Sequence, residues 1–219
     1  MCIIGYKTPP KLAHWDARWK QIRHGGGMTL EIPRNAALVM IDVQRGFERE
    51  DRWGRRDNPH AEANMEELQR AWLATDRPVV VVQHDSVEPG STLSPADPGN
   101  ALKPFVDVES AALHVHKSVN SAFYGTPNLE HWLRDHEINT MVLCGITTNH
   151  CCETTARMGG NLGFRVIFVA DAMHTFDQTA SNGMSLTAEE LATASIVSVD
   201  AGGFALVATT RDVLSSADL

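Results

Sequence analysis

The chain has 219 residues, a length that suits one large domain or at most two small ones. A hydrophobic share of 43% is enough for a packed core, and 21% charged residues is ordinary, which excludes global disorder. The 19 basic and 27 acidic residues leave a net charge of −8, the wrong sign for neutralising nucleic-acid phosphates or coating an anionic membrane.

No stretch approaches the ~20 apolar residues of a membrane span. Cys2, Cys144, Cys151 and Cys152 do not make a disulfide framework in a chain this long, and without a CxxC pair a structural zinc site has no support. After its first six residues the N-terminus is too polar for a signal-peptide core, so the protein is expected in the cytoplasm.

Residues 1–33 carry no clear period and include Gly25-Gly26-Gly27 before Met28. They read as an N-terminal extension: a flexible arm, a start codon assigned too early, or a segment that docks on a partner subunit. Residues 34–219 form the domain. Ala37 to Val43 is an apolar run of strand length, as in a strand buried on both faces. Met65 to Asp76 follows a helical spacing of Leu68, Trp72 and Leu73, and Val79 to Val82 is a second buried strand. Residues 86–104, rich in Pro, Gly and Ser, are a long loop of the kind that is usually functional or disordered. Ala112 to Lys117 reads as a strand and Asn128 to His136 as a helix opened by Pro127. Thr140 to Cys144 is a strand running into Gly145, followed by a helix from about Asn149 to Asn161. Arg165 to Ala170 is a strand ending at Asp171. Thr187-Ala188-Glu189-Glu190 has the spacing of a capping box, and Phe204 to Ala208 is the last strand. This alternation predicts a three-layer α/β/α domain around a mostly parallel, six-stranded, Rossmann-like sheet.

Ligands of such sheets bind outside the carboxyl ends of the strands. Those ends carry Asp42, then His84 and Asp85, then Lys117, then the run from Gly145 to Cys151, then Asp171. An acid, a lysine and a cysteine in one crevice suit nucleophilic chemistry, because a helix N-terminus and a nearby ammonium lower a thiol's pKa. A carboxylate beside the thiol can take its proton and return it to a leaving amine. Each residue also has a plainer reading. Asp42 can be a cap or half of a structural ion pair, Lys117 a solvated strand-end charge, and a free cysteine a small core hydrophobe. Of the adjacent pair Cys151 and Cys152, one should face the crevice and the other the core, and pattern alone does not say which. His114 and His116 share a strand face but lack a third close ligand, so they read as packed or hydrogen-bonded. His84, Phe47, Trp53, Phe123 and Tyr124 are each candidates either for the pocket or for ordinary packing.

Three segments resemble the isochorismatase-like cysteine hydrolases: LVMIDVQRGF with Asp42, HKSVNSAFYGT with Lys117, and GITTNHCCETTARMGGNLGFRV with Cys151. The likeness runs from Ala36 to Leu214. It implies a catalytic set of Asp42, Lys117 and Cys151, with Cys152 in the apolar position after the nucleophile. It also implies a cis bond between Ile146 and Thr147 that aims the backbone N–H groups of Thr147 and Cys151 at an oxyanion. Nicotinamidases of this family carry a metal set of one Asp and two His near the second strand. Here that region reads Gln83-His84-Asp85-Ser86 with no second histidine in the following loop, so neither metal nor cofactor is expected. The resemblance thus implies an amidohydrolase acting on a small carboxamide, ureido or lactam compound, working as a homo-oligomer, a dimer or tetramer. Specificity would lie in loops 45–60 and 86–104 and near Phe123 and His174. Two alternatives are hydrolysis of an isochorismate-like vinyl ether and a non-enzymatic binding or thiol-redox protein.

Overall fold

The computed structural model describes residues 30–216, together with a pair of two-residue strands at Arg23–His24 and Gly27–Met28. The proposed docking role of the N-terminal arm therefore lies almost wholly outside the described residues. Its last residues pack with the domain. Leu30 and Ile32 are buried, and Arg165 donates to the Glu31 carbonyl at 2.6 Å.

Six strands make one sheet: β1 (Ala37–Ile41), β2 (Val79–His84), β3 (Leu113–Lys117), β4 (Thr140–Ile146), β5 (Arg165–His174) and β6 (Leu206–Ala208). They lie in the order 3-2-1-4-5-6 and every neighbouring pair is parallel. The helices are α1 (Ala61–Ala74), α2 (Leu129–Asp135), α3 (Glu153–Asn161), α4 (Ala188–Ala201) and α5 (Thr210–Ser216). Because side chains alternate along a strand, β1 feeds both layers. Leu38 and Met40 pack in the cluster that holds Met65, Leu68 and Trp72 of α1 and Val213 of α5. Ala37, Val39 and Ile41 pack in the one holding Leu133 of α2, Ala156 of α3 and Val199 of α4. All five β1 residues are buried, and each large aliphatic one contributes on the order of 1.5–3 kcal/mol by leaving water. Among the described residues no helix is long and apolar enough to cross a membrane.

The order 3-2-1-4-5-6 reverses direction between β1 and β4, and such a switch point opens a crevice at the strands' carboxyl ends. Gly145 lets these two strands close up there. Its φ is +136°, and a Cβ on it would stand 2.1 Å from the Ile41 carbonyl oxygen.

The structure differs from the sequence reading in three places. β5 does not stop at Asp171 but runs to His174, with a register shift against β4 between Leu143 and Gly145. Asp171 consequently lies inside the strand, where its carboxylate accepts from the backbone N–H and hydroxyl of Thr210 and caps α5. Pro127 does not begin a helix. It sits before the cap Asn128, whose side chain accepts from His131 N at 2.8 Å. The capping box at Thr187 and Glu190 is present as read.

Candidate active site

At the end of β1 the chain turns on Asp42, whose φ of 52° is left-handed and uncommon outside glycine. The turn is held by Asp42 N donating to the Val82 carbonyl at 2.9 Å and Gln44 N donating to the Asp42 carbonyl at 2.8 Å. It leaves the Asp42 carboxylate without solvent exposure. Lys117 ends β3, two strands away. Strands lie ~4.8 Å apart, so the gap is roughly 10 Å and needs a long side chain to cross it. Lys117 Nζ reaches Asp42 Oδ2 at 2.7 Å, passing His84 Nδ1 of β2 at 3.0 Å. An ammonium can only donate, so Nδ1 is the acceptor and the ring is neutral with its proton on Nε2. Burial, joined by the Lys117 charge, likewise pushes the His84 pKa down.

Past Gly145 and Ile146, the chain enters a wide turn over Thr148–Cys152, in which Cys152 N donates to the Thr147 carbonyl at 3.2 Å. The Ile146–Thr147 peptide is cis. This turn separates the two vicinal thiols. Cys152 is wholly buried among Ala156 and Phe168, while Cys151 faces the crevice 3.4 Å from Lys117 Nζ. Asn149 is held by the Thr175 hydroxyl at 2.5 Å.

Burial, reinforced by the Asp42 charge, pushes the Cys151 thiol well up, and Lys117 only partly opposes this. The sequence expectation of a lowered thiol pKa is therefore corrected, first because the thiol is buried and then because a carboxylate stands beside the ammonium. Burial also pulls Lys117 down, but Asp42 and Cys151 outweigh it and leave the ammonium raised and charged. The resting arrangement is then a thiol beside a carboxylate–ammonium pair. Only one Asp42 oxygen is engaged. Oδ1 has no hydrogen-bond partner among the described residues and is free to accept the thiol proton.

Asp42, His84 and Cys151 present donor atoms within 4.8 Å of one another, the geometry of a metal site. Lys117 Nζ contacts all three, so a metal would have to displace an ammonium that fits them. The acid and histidines beside β2 do not converge on an ion either. Asp85 Oδ2 binds His116 Nδ1 at 2.8 Å, and His114 Nε2 meets Gln83 Oε1 at 3.1 Å.

A cavity of about 340 Å³ opens over these groups, lined by Asp42, His84, Thr147 and Cys151 and walled by Phe47 and Trp53. Trp53 packs on Phe47 with ring centroids 4.7 Å apart and on Phe176 at 5.4 Å. Three other expected pocket residues lie elsewhere. Phe123 is buried beside Phe164 in the core on the α2–α4 side of the sheet. Tyr124 is exposed and off the cavity wall. His174 has no exposure and lies 3.4 Å from Glu62, on the α1 side of the sheet. β5 was read too short, and the extra residues carry His174 back into the packed layer.

Several lining or supporting residues went unread in the sequence. Asn120 places Oδ1 3.9 Å from Cys151 Sγ, and His150 and Glu88 also line the cavity. Loop 86–104 is pinned rather than loose. Asn100 Nδ2 donates to the carbonyls of His84 and Leu93, and Gln44 Nε2 donates to the carbonyls of His84 and Asn100. A Gln or Asn alone carries no motif, so only the assembled loop reveals this clamp.

A six-stranded parallel sheet in this order, with an acid, a lysine and a thiol at its switch point, defines an α/β protein with a crevice at the carboxyl ends of its strands. The isochorismatase domain model matches residues 36–201. The isochorismatase family protein YrdC of Bacillus subtilis is 36% identical over 179 residues, covering 82% of this chain and 94% of its own. A streptothricin hydrolase of Streptomyces noursei is 31% identical over 175 residues, 75% of this chain and 67% of its own. A crystal structure of an isochorismatase-family protein from Chromobacterium violaceum superposes with a TM-score of 0.80 at 36% identity, over 86% of this chain and 96% of that one. The chain belongs to the isochorismatase family of hydrolases.

Proposed function

We propose that the protein is a cysteine-dependent amidohydrolase that opens a carboxamide, ureido or lactam C–N bond of a small molecule. The observation that carries this reading is the buried Asp42–Lys117–Cys151 cluster with one Asp42 oxygen unengaged beside the thiol. Asp42 takes the Cys151 proton as sulfur attacks the carbonyl carbon, and Lys117 keeps the carboxylate charged until that moment. The oxyanion rests on the backbone N–H groups of Thr147 and Cys151, which both line the cavity. Collapse expels the amine with the proton from Asp42 and leaves a thioester on Cys151. Water, deprotonated by Asp42, then releases the acid and restores the thiol. The streptothricin hydrolase named above is a relative that is itself a hydrolase, which supports this reading.

The substrate is read as a small molecule from the cavity volume, and exposed apolar side chains such as Val119 and Tyr124 suit the expected dimer or tetramer. A reducing, cytoplasmic setting suits the free thiols at Cys144, Cys151 and Cys152. The test is a panel of small amides, ureides and lactams together with an isochorismate-like vinyl ether, followed by intact mass spectrometry of the quenched enzyme. The expected result is an acyl adduct on Cys151 during turnover. Turnover that persists in Cys151→Ala overturns the covalent route, and pyruvate release without amine release would place the chemistry at a vinyl ether instead.

A further inference from the structure

The charge of the catalytic cavity has an uneven composition. Among the described residues lining it, two are acids, Asp42 and Glu88, and none is a lysine or arginine. Lys117 lies behind the wall with its charge matched by Asp42 at 2.7 Å, so this pair adds little net field at the mouth. Both lining histidines, His84 and His150, have their pKa values pushed down, chiefly by burial, and stand neutral at pH 7. Glu88 is different. It is an exposed residue of loop 86–104 that lines the cavity, no described cation pairs with it, and its negative charge is felt at His84. Arg52 reaches the same loop at the Gly90 carbonyl at 3.4 Å but is not part of the lining. Phe47 and Trp53 also line the cavity, and aromatic rings of this kind attract cations. The whole chain carries −8, which adds to the same sign of field.

We infer that the substrate class is a small amide bearing a positive charge away from the scissile bond, that carboxylate-bearing compounds are disfavoured, and that Glu88 is the residue that sets this preference. The inference deepens the amidohydrolase reading and rests on it for the word amide, but the charge preference itself is a property of the cavity. A dicarboxylate such as an isochorismate-like acid would enter without a single lining cation to receive it, whereas carboxylate recognition is normally built on Arg or Lys. A cationic group would instead find Glu88 and the rings of Phe47 and Trp53 in the lining.

The experiment uses the intact protein and two independent panels. In the first, Cys151 is labelled with three methanethiosulfonates built on the same two-carbon chain: ethylammonium, neutral hydroxyethyl and ethylsulfonate, each rate divided by its rate with 2-mercaptoethanol. In the second, cationic, neutral and anionic versions of one aryl amide are compared by kcat/KM. The expected order in both is cation, neutral, anion. Glu88→Gln should shrink the cation-to-anion ratio by roughly fivefold at low salt, the size expected of one partly screened charge. Glu66→Gln, an exposed acid on α1 away from the cavity, should leave the ratio alone. An anion equal to or faster than the cation, or a ratio that Glu88→Gln does not move, overturns the charge preference. Charge-ordered labelling without any amide cleavage retains the preference and removes the amidohydrolase reading. Charge-ordered cleavage without Cys151 labelling retains the preference and removes the covalent route. Silence in both panels overturns both.

Discussion

Lys117 and Lys103 are both buried, and both bind a carboxylate from a neighbouring element, yet they leave their partners in different states. Lys103 meets Glu62 Oε1 at 3.0 Å and Glu48 Oε1 at 3.1 Å, and Arg56 grips Glu62 through both guanidinium nitrogens at 2.6 and 2.5 Å. Burial would raise the Glu62 carboxyl, but His174, Arg56 and Lys103 outweigh it and hold it far below the usual carboxylate range. Both Glu62 oxygens are engaged. Asp42 gives Oδ2 to Lys117, while Oδ1 has no other hydrogen-bond partner among the described residues and the carboxylate stands within 4.8 Å of the Cys151 sulfur. A buried carboxylate whose every oxygen is bonded behaves as architecture. One left short of a partner beside a reactive atom has a job for the vacant lone pair.

The sharpest way to break this contrast is at the thiol itself. Cys151→Ala should remove turnover by at least about 10⁴-fold while leaving the urea midpoint essentially unchanged, since only a small side chain at the cavity wall is lost. Asp42→Asn should lower turnover by about 10²–10⁴-fold, the usual range for a general acid–base group. It should also move iodoacetamide labelling of Cys151 the other way. With the Asp42 charge gone, the sulfur loses a group that raises its pKa and keeps Lys117, so alkylation at pH 8 should accelerate. Slower labelling together with slower turnover would mean that Asp42 acts only by holding the fold.

Next in size is the comparison of the two lysines by urea unfolding. Lys117→Met strands a fully buried carboxylate and should cost about 3–5 kcal/mol, while the double variant with Asp42→Asn recovers most of it. Lys103→Met should cost only about 1–2 kcal/mol, because Glu62 retains Arg56. Equal costs would erase the distinction between the two clusters.

Much of this arrangement is legible in the residues before any fold is drawn. Ala37 to Ile41 and Val79 to Val82 are continuous apolar runs because a doubly covered strand has no solvent face, and the polar residues that end such runs mark the crevice. Asp42, Lys117 and Cys151 could be set at strand ends for that reason. What failed to show is whatever depends on irregular backbone. The register shift in β5 turned the expected strand end at Asp171 into a helix cap and buried His174. Phe176, Asn120 and Asn100 owe their places to loops whose course no period encodes, and Phe123 belongs to the core although it follows Lys117 by only six residues. The direction of the thiol's pKa is hidden in the sequence because a lysine near a cysteine looks activating until the burial of the thiol and the carboxylate partner of the lysine are placed.

The smallest expected effect is a pH dependence on the architectural side. His174 is buried without exposure, and burial pushes its pKa down despite the neighbouring Glu62. His84, His114 and His150 are also lowered, each first by burial. An unfolded chain takes up protons on these rings below its ordinary histidine pKa of about 6.5, and the native state does so only at lower pH. More protons on the unfolded state means that stability rises with pH, so it should be level above about pH 7 and fall as pH drops below 6.5. Glu62, held low, contributes in full above the ordinary carboxylate pKa of about 4.5 and loses that contribution only as pH falls further, so it does not enter this window. His174→Leu removes one buried ring whose Nε2 stands 3.4 Å from Glu62 Oε1, a carboxylate that keeps Arg56 and Lys103 without it. It should leave stability at pH 8 within about 1 kcal/mol. Between pH 6 and 5 it should flatten the slope by up to about 1.4 kcal/mol per pH unit. A variant whose acid limb is as steep as that of the native protein would show that His174 charges freely in place, with Glu62 receiving the proton's charge as a salt-bridge partner.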